Sequence, residues 1–549
     1  MSESVSDATA PTIARHPFNQ PSADITLRSS DRVDFYVYGP ILSQVSPVFA
    51  DMFSLPQPSS VSRAAIADRP VVDVTEDSRA LERLLRLCYP IRKEKLEKLG
   101  DIVPVLHAAM KYDMEWPIYL LTTDLQEIVP RSPLKVWAVA CRCGLEDLAQ
   151  DAAAMIAENA KGDSDSGSRR KKPPRRRNNT TAQAPLTLLA SMLQDPEYGK
   201  EVLRGISAGD YFRLREYLRT GDDRPTTNLL SPTTDSSTLP NDPSHESSSS
   251  LPTSLIPLFP PPDVILRCPD GLEFHVHTLS LVLLSPILAE RVQTLISSSS
   301  EPQDEANAAG SRTSPSLEMD VDSSTLSIML AIVYGGNAHL PSDLHALSST
   351  LIAANKFGFA GIAEAAQDRW NILATSRPLD AYFIAIERGL ADCARFAARK
   401  VLEGPIAAIY SRTMESSTAL AYHYLLEYYQ ACASSINRRM EAAVAVWNGF
   451  LNNIQGGGSY YSSVVRLENA EELGMCLKRL AQKMSTDVPT SNGCSFDLTL
   501  PTLLRSSSTM WPSQLAPLYK EVTGVLTDIS TDLPRLVADA ITEVQLEIE

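Results

Sequence analysis

The chain has 549 residues, 44% of them apolar and 21% charged, the balance of a globular protein with room for several cores. Its formal net charge of −16 argues against wholesale binding to nucleic acid or to anionic membrane surfaces. No apolar run approaches the roughly 18 residues of a bilayer span, and the opening MSESVSDATAPTIARHPF lacks the apolar core of a secretory signal.

Residues 1–20 are polar and aperiodic and read as disordered. Residues 21–128 form a first unit. It begins with a strand, a turn at Ser30-Asp31, a second strand and a helix. A Pro/Ser-rich loop follows, then a short strand at Val71–Val74 and a helix over Ser78–Cys88 with Leu81, Leu84, Leu85 and Cys88 on one face. Helical periodicity continues from Glu94 to Tyr112, where Pro104 implies a kink or two helices. Residues 129–158 read as a helical hairpin capped at Gly144.

Composition changes abruptly in the linker 159–184. Arg169, Arg170, Lys171, Lys172, Arg175, Arg176 and Arg177 crowd around Pro173-Pro174, which forbid a helix. Such a run reads as a nuclear-import address, as a solvated linker, or as a weak phosphate-binding arm; no aromatics are interleaved for base stacking. A short helical island at 185–221 and a Ser/Thr/Pro-rich linker at 222–261 follow. A second unit spans 262–375, with its own helical hairpin at 376–403. The remainder, 404–549, reads as all-helical, with helices over Ser416–Gln455, Ala470–Met484 and Leu515–Leu546.

The second unit repeats the first. Asp24/Asp263, Leu27/Leu266, Phe35/Phe274, Val37/Val276, Leu42/Leu281, Ser46/Ser285 and Pro47/Pro286 are each 239 residues apart. After a six-residue insertion the register resumes at 245, through Leu81/Leu326, Tyr89/Tyr334, Lys111/Lys356, Tyr112/Phe357, Pro133/Pro378 and Gly144/Gly389. A register held through Pro, Gly, Lys and Asp is expected of an internal duplication.

No catalytic residue, cofactor or metal is expected. The eight cysteines are scattered, and Cys141-Arg142-Cys143 has no second pair at zinc-site spacing. His275 and His277 share a strand face but lack a third ligand. Phosphate-loop, nucleophile-elbow and zinc-protease patterns are missing.

The pattern Asp24-x-x-Leu27, then Phe35-x-Val37, then Leu42-x-x-x-Ser46-Pro47-x-Phe49-x-x-Met52-Phe53 resembles the BTB/POZ domain. The runs SPVFADMFSLPQP, EDSRALERLLRLCYP and AAMKYDM are similar to the form abundant in basidiomycete fungi. The second unit resembles a degenerate copy, with Leu288 where Phe49 stands, and the two hairpins are similar in position to the start of a BACK region. The resemblance implies an α+β, predominantly helical fold: two BTB/POZ-like units with small sheets, followed by the all-helical region. It implies association with protein partners, self or another BTB protein, and no catalysis. Val45, Val48, Phe49, Met52 and Phe53 put much apolar surface on one helix and are the candidate interaction residues, with Phe49 and Met52 also read as simple core residues. The two units are expected either to pair within one chain or to pair between chains as a homodimer.

Two family features do not carry over. Corepressor-binding members pair the first-strand Asp with a basic residue after the Phe-x-Val run, whereas Asp24 faces Gly39 and Asp263 faces Thr278. Cullin adaptors carry an apolar-x-Glu motif in the loop after the Phe-x-x-Met-Phe helix, and the loop SLPQPSSVSRAAIADRP has no Glu. The competing readings are a cullin-type ubiquitin-ligase adaptor and a nuclear transcription-associated regulator. The expected location is nuclear or nucleo-cytoplasmic.

Overall fold

The structure is a computed structural model. It describes residues 11–55, 69–93, 95–163, 184–195, 199–220, 228–230, 261–298, 315–335, 340–404, 406, 409–456, 535 and 537–548. The basic run Arg169–Arg177, the loop at 56–68 and the expected helix Ala470–Met484 lie outside the described residues. Two compact units divide the chain, Met1–Thr233 and Thr234–Glu549.

The first unit opens with strands β1 (Thr12–Ile13), β2 (Ile25–Arg28) and β3 (Val33–Val37). Then come helices α1 (Gly39–Val45) and α2 (Pro47–Ser54), strand β4 (Val71–Asp73), and helices α3 (Ser78–Cys88), α4 (Leu99–Lys111) and α5 (Glu115–Ile128). The sheet order is β1-β3-β2-β4; β2 and β3 are antiparallel, with Leu27 opposite Phe35, and the outer strands run parallel to their neighbours. Leu27, Phe35 and Val37 are buried together with Leu42, Phe49, Leu81, Leu84 and Leu106, so one face of the small sheet and the helices above it share a core.

Local chemistry fixes the breaks. Ser46 leaves the helical region (φ −144°, ψ 113°) between α1 and α2, and Pro47, with no N–H to lose, starts α2. The Ser46 hydroxyl accepts from the Phe49 N–H at 3.0 Å and donates to the Tyr112 carbonyl at 2.5 Å. That ties the entry of α2 to the exit of α4. Asp77 caps α3 by accepting from Ala80 N–H at 2.7 Å. Helix α4 begins at Leu99 rather than Glu94 and is one helix containing Pro104, which removes one backbone bond without dividing it.

Glu76 sits where β4, α3 and α4 converge, accepting from Tyr112 Oη at 2.6 Å and Lys111 Nζ at 2.9 Å. Burial pushes its carboxyl up, but the hydrogen bonds from Tyr112 and Lys111 outweigh this and hold it below its usual range. A carboxylate depressed in the folded state stabilises fully above its unfolded pKa and loses that contribution as pH falls through the folded value. Glu76→Gln is therefore expected to cost about 1–2 kcal/mol near neutrality. Melting curves should show the gap to wild type closing below about pH 4; a gap that persists in acid would contradict this linkage.

Helices α6 (Pro133–Cys143) and α7 (Glu146–Asp163) form a hairpin whose first helix ends on Gly144 in the left-handed region (φ 64°). Helices α8 (Ala184–Gln194) and α9 (Ala208–Thr220) complete the unit. They are not an island: α8 packs on α7, and Tyr211 of α9 lies 6.5 Å, ring to ring, from buried Trp137. Arg142 donates to the carbonyls of Val202 and Arg204, and the Glu146 carboxylate accepts the N–H groups of Leu229 and Leu230 at 2.8 and 2.9 Å. The first packed unit thus continues past 158 and 221 to buried Leu229 and Leu230.

The second unit contains β5 (Val264–Arg267), β6 (Glu273–Val276), α10 (Thr278–Leu284), α11 (Pro286–Ser298), β7 (Ser316–Glu318), α12 (Ser323–Val333), α13 (Leu344–Phe357) and α14 (Ala360–Ser376). Its three-stranded sheet has the order β6-β5-β7, antiparallel then parallel. Gly271 (φ 82°) takes the left-handed turn that Arg32 (φ 61°) takes in the first unit. Ser285 again separates two short helices, accepts from Leu288 N–H at 3.0 Å and donates to the Phe357 carbonyl. Helices α15 (Pro378–Glu387) and α16 (Ala391–Val401) follow as a hairpin, and α17 (Ala419–Gly456) packs its first turns on α15, where Tyr382 Oη donates to the Ala421 carbonyl at 2.9 Å. The described architecture is α+β and mostly helical. Among the described residues no helix is long and apolar enough to cross a membrane.

Candidate interaction surface

A polar frame recurs at matching positions of the two units. Asp24 accepts from Gly39 N–H at 2.8 Å, and Asp263 from Thr278 N–H at 2.6 Å. The hydroxyl of Tyr89 accepts from Tyr38 N–H at 2.8 Å, and that of Tyr334 from His277 N–H at 2.9 Å. Asp31 and Asp270 accept from Ser78 and Ser323 N–H; the matching lysines Lys111 and Lys356 also each pair with a carboxylate, though at positions one residue out of register, Glu76 and Asp320. In both units the aspartate just ahead of β2 or β5 accepts from the first N–H of the helix that follows the hairpin.

Gly39 could not become a basic residue without rearrangement. A Cβ there would lie 2.7 Å from Ile25 Cδ1 and 3.2 Å from Asp24 Oδ2. His277 is one residue beyond β6 and sits against Tyr334, with Nδ1 and Oη 3.1 Å apart, whereas His275 is exposed. Among the described residues no group of three or more His, Cys, Asp or Glu is placed to hold a metal. Burial pushes the thiols of Cys143 and Cys432 up to about 11 and Cys141 well above the usual value, so they stay protonated and poorly nucleophilic at neutral pH.

The five sequence candidates on the first unit divide. Phe49 is fully buried, stacked on Tyr112 at 4.4 Å and on Phe53 at 5.5 Å, the placement of the core reading rather than of an exposed anchor. Val48, Met52 and Phe53 on α2 are half-buried, and so is Val45, which the break at Ser46 puts at the end of α1 rather than on the same helix. None of the five is among the large apolar residues left exposed.

The most exposed apolar surface lies elsewhere. In the second unit Leu279, Val282, Leu283, Leu284 and Ile287 stand out from α10 and the start of α11, with Leu279 68% and Leu283 72% exposed. The matching positions of the first unit are Pro40, Ser43, Gln44, Val45 and Val48. Four of these side chains are on α10, which has only Leu281 in the core, and Ile287 extends the exposed apolar patch onto α11. In the first unit Trp116 and Tyr119 project from α5, their rings stacked at 5.6 Å. Both could have been located from the sequence, since Pro117, Leu121, Leu125 and Ile128 define the buried stripe of α5 and leave 116 and 119 off it.

No curated protein matches the chain. Residues 16–128, which hold the four-stranded sheet's β2, β3 and β4 and the helices α1 to α5, match the family model of the BTB/POZ domain, and the first unit therefore contains a BTB/POZ domain.

Proposed function

We propose that the protein is a non-catalytic scaffold that self-associates, with the second unit a diverged copy of the BTB/POZ domain and the carrier of the pairing surface. The observation that carries this reading is the apolar face of Leu279, Val282, Leu283, Leu284 and Ile287. BTB/POZ domains are interaction and dimerisation modules, and the matched sheet order, serine switch and tyrosine hydrogen bond support descent of the second unit from the same fold. An interface built on one self-complementary patch closes as a two-fold pair and is satisfied at two copies.

Light scattering on the full chain over a concentration series tests it. A mass twice the 60.0 kDa of one chain is expected. A single-chain mass at every concentration would sink pairing between chains. The cullin-adaptor reading has no supporting observation, because the loop that would carry its motif has no Glu.

For location we propose nuclear import through Arg169–Arg177, on the density of seven basic residues around two prolines. Replacing Arg175, Arg176 and Arg177 by Ala in a fluorescently tagged chain should shift it from nucleus to cytoplasm. An unchanged distribution would leave the run a solvated linker.

A further inference from the structure

The outer face of α3 and the loop after it form a cleft of about 280 Å³ lined by Arg79, Glu82, Arg83, Arg86, Leu87, Lys93 and Leu96. Its charge is lopsided in a protein of net charge −16. Its four cations have two carboxylate partners: Glu82 of the lining, paired with Arg86 at 2.7 Å, and Asp101 outside it, 2.9 Å from both Arg79 and Arg83. Arg79 keeps 70% of its side chain exposed, so its ion pair is a surface pair that an incoming carboxylate can share at little cost. Leu87 and buried Leu96 give the cleft an apolar floor.

Lys93 connects this cleft to the exposed aromatic pair. Its ammonium lines the cleft and also lies 5.6 Å from the centre of the Trp116 ring, which stacks on Tyr119. Trp116 and Tyr119 are 54% and 63% exposed, an unusual cost for two large rings on one helix face. Arginines beside exposed aromatics are the residues that carry most binding energy at protein interfaces.

We propose that this cationic cleft and its aromatic ledge are a docking site for an acidic linear segment of a partner protein, one that carries a bulky apolar residue beside its carboxylates. Guanidinium groups accept carboxylates in paired, planar geometry, which favours Asp or Glu at the α3 end. The apolar residue lies on Trp116 and Tyr119. The volume suits a few side chains better than the 300–1,000 Å³ typical of small-molecule sites. A nucleic acid is disfavoured by Glu82 in the cleft, by Asp101 paired with its arginines, and by the acidic charge of the whole chain. This site is separate in residues from the apolar face of α10, so either proposal can fail alone.

The test is fluorescence anisotropy on the full chain with a short labelled peptide alternating Asp and Glu around a Phe-Leu pair. Three competitors are used: the Asn/Gln analogue, the acidic peptide without Phe-Leu, and a single-stranded oligonucleotide. The acidic peptide should bind, and the Asn/Gln analogue should bind at least about tenfold more weakly. Arg79→Glu with Lys93→Glu should weaken the acidic peptide by about tenfold or more. Both are exposed positions, so an unchanged melting temperature verifies the fold. Trp116→Ala should weaken the Phe-Leu peptide while leaving the peptide without Phe-Leu unchanged. No binding of the acidic peptide, equal binding of the Asn/Gln analogue, indifference to the charge reversals, or preference for the oligonucleotide would each overturn the proposal.

Discussion

Phe49→Ala is expected to destabilise the first unit by about 3–5 kcal/mol, a large share of the 5–15 kcal/mol that holds a typical domain together. The ring is fully buried at the point where three constraints meet. The ring stacks on Tyr112 at 4.4 Å and on Phe53 at 5.5 Å, and the Phe49 backbone N–H donates to the Ser46 hydroxyl that also reaches the Tyr112 carbonyl. Removing the ring opens a cavity against Tyr112, whose own hydroxyl is committed to Glu76, so collapse around the void is restricted. Hydrogen exchange of the full chain should show protection falling in α2, α4 and β2 of this unit. The unit at Thr234–Glu549 should keep its protection. The same readout separates a core role from an interface role. A variant that keeps its protection but loses self-association would make Phe49 an anchor after all. Leu288, at the matching position and 1% exposed, should behave in the second unit as Phe49 does in the first, at about 2–5 kcal/mol for Leu288→Ala.

The sequence exposes the frame of both units because its determinants are local or rigidly spaced. Ser46-Pro47 and Ser285-Pro286 specify a helix break by their own chemistry, and Gly144 specifies a left-handed stop. The paired registers through Tyr89/Tyr334 and Lys111/Lys356 mark side chains that the fold commits to hydrogen bonds far along the chain. What the pattern does not expose is which side of an apolar helix faces water. The stretch TLSLVLLSPIL is apolar at nearly every position, so periodicity cannot separate buried Leu281 and Leu288 from exposed Leu279 and Leu283. Conversely VSPVFADMF shows its apolar residues on one face, a signature shared by core and interface helices, and Phe49 belongs to the core. The packing of α8 and α9 onto α7 is equally hidden. It depends on Arg142 and Glu146 reaching backbone groups about 60 and 83 residues away, contacts that leave no spacing signal.

Leu279→Glu combined with Leu283→Glu is expected to convert the paired chain to single chains while leaving the second unit folded. Both side chains are more than two-thirds exposed in one copy, so no internal contact is lost and α10 keeps Leu281 in the core. In a two-fold pair each leucine is buried once per copy. Burying such a side chain is worth about 1.5–3 kcal/mol, and the introduced carboxylates face one another across the axis. The dissociation constant should therefore rise by on the order of a thousandfold or more. Because like charges held at an apolar contact cannot be fully solvated, added salt should restore only part of the loss. Gln44→Glu, at the position of the first unit that matches Leu283, makes a fair control: it changes an exposed polar residue and should move neither mass nor stability by more than about 0.5 kcal/mol. If the double variant still scatters as a pair with its melting temperature intact, the α10 face is not the contact. If Gln44→Glu instead separates the chains, the pairing surface belongs to the BTB/POZ domain at 16–128 and the second unit's apolar helix serves another partner.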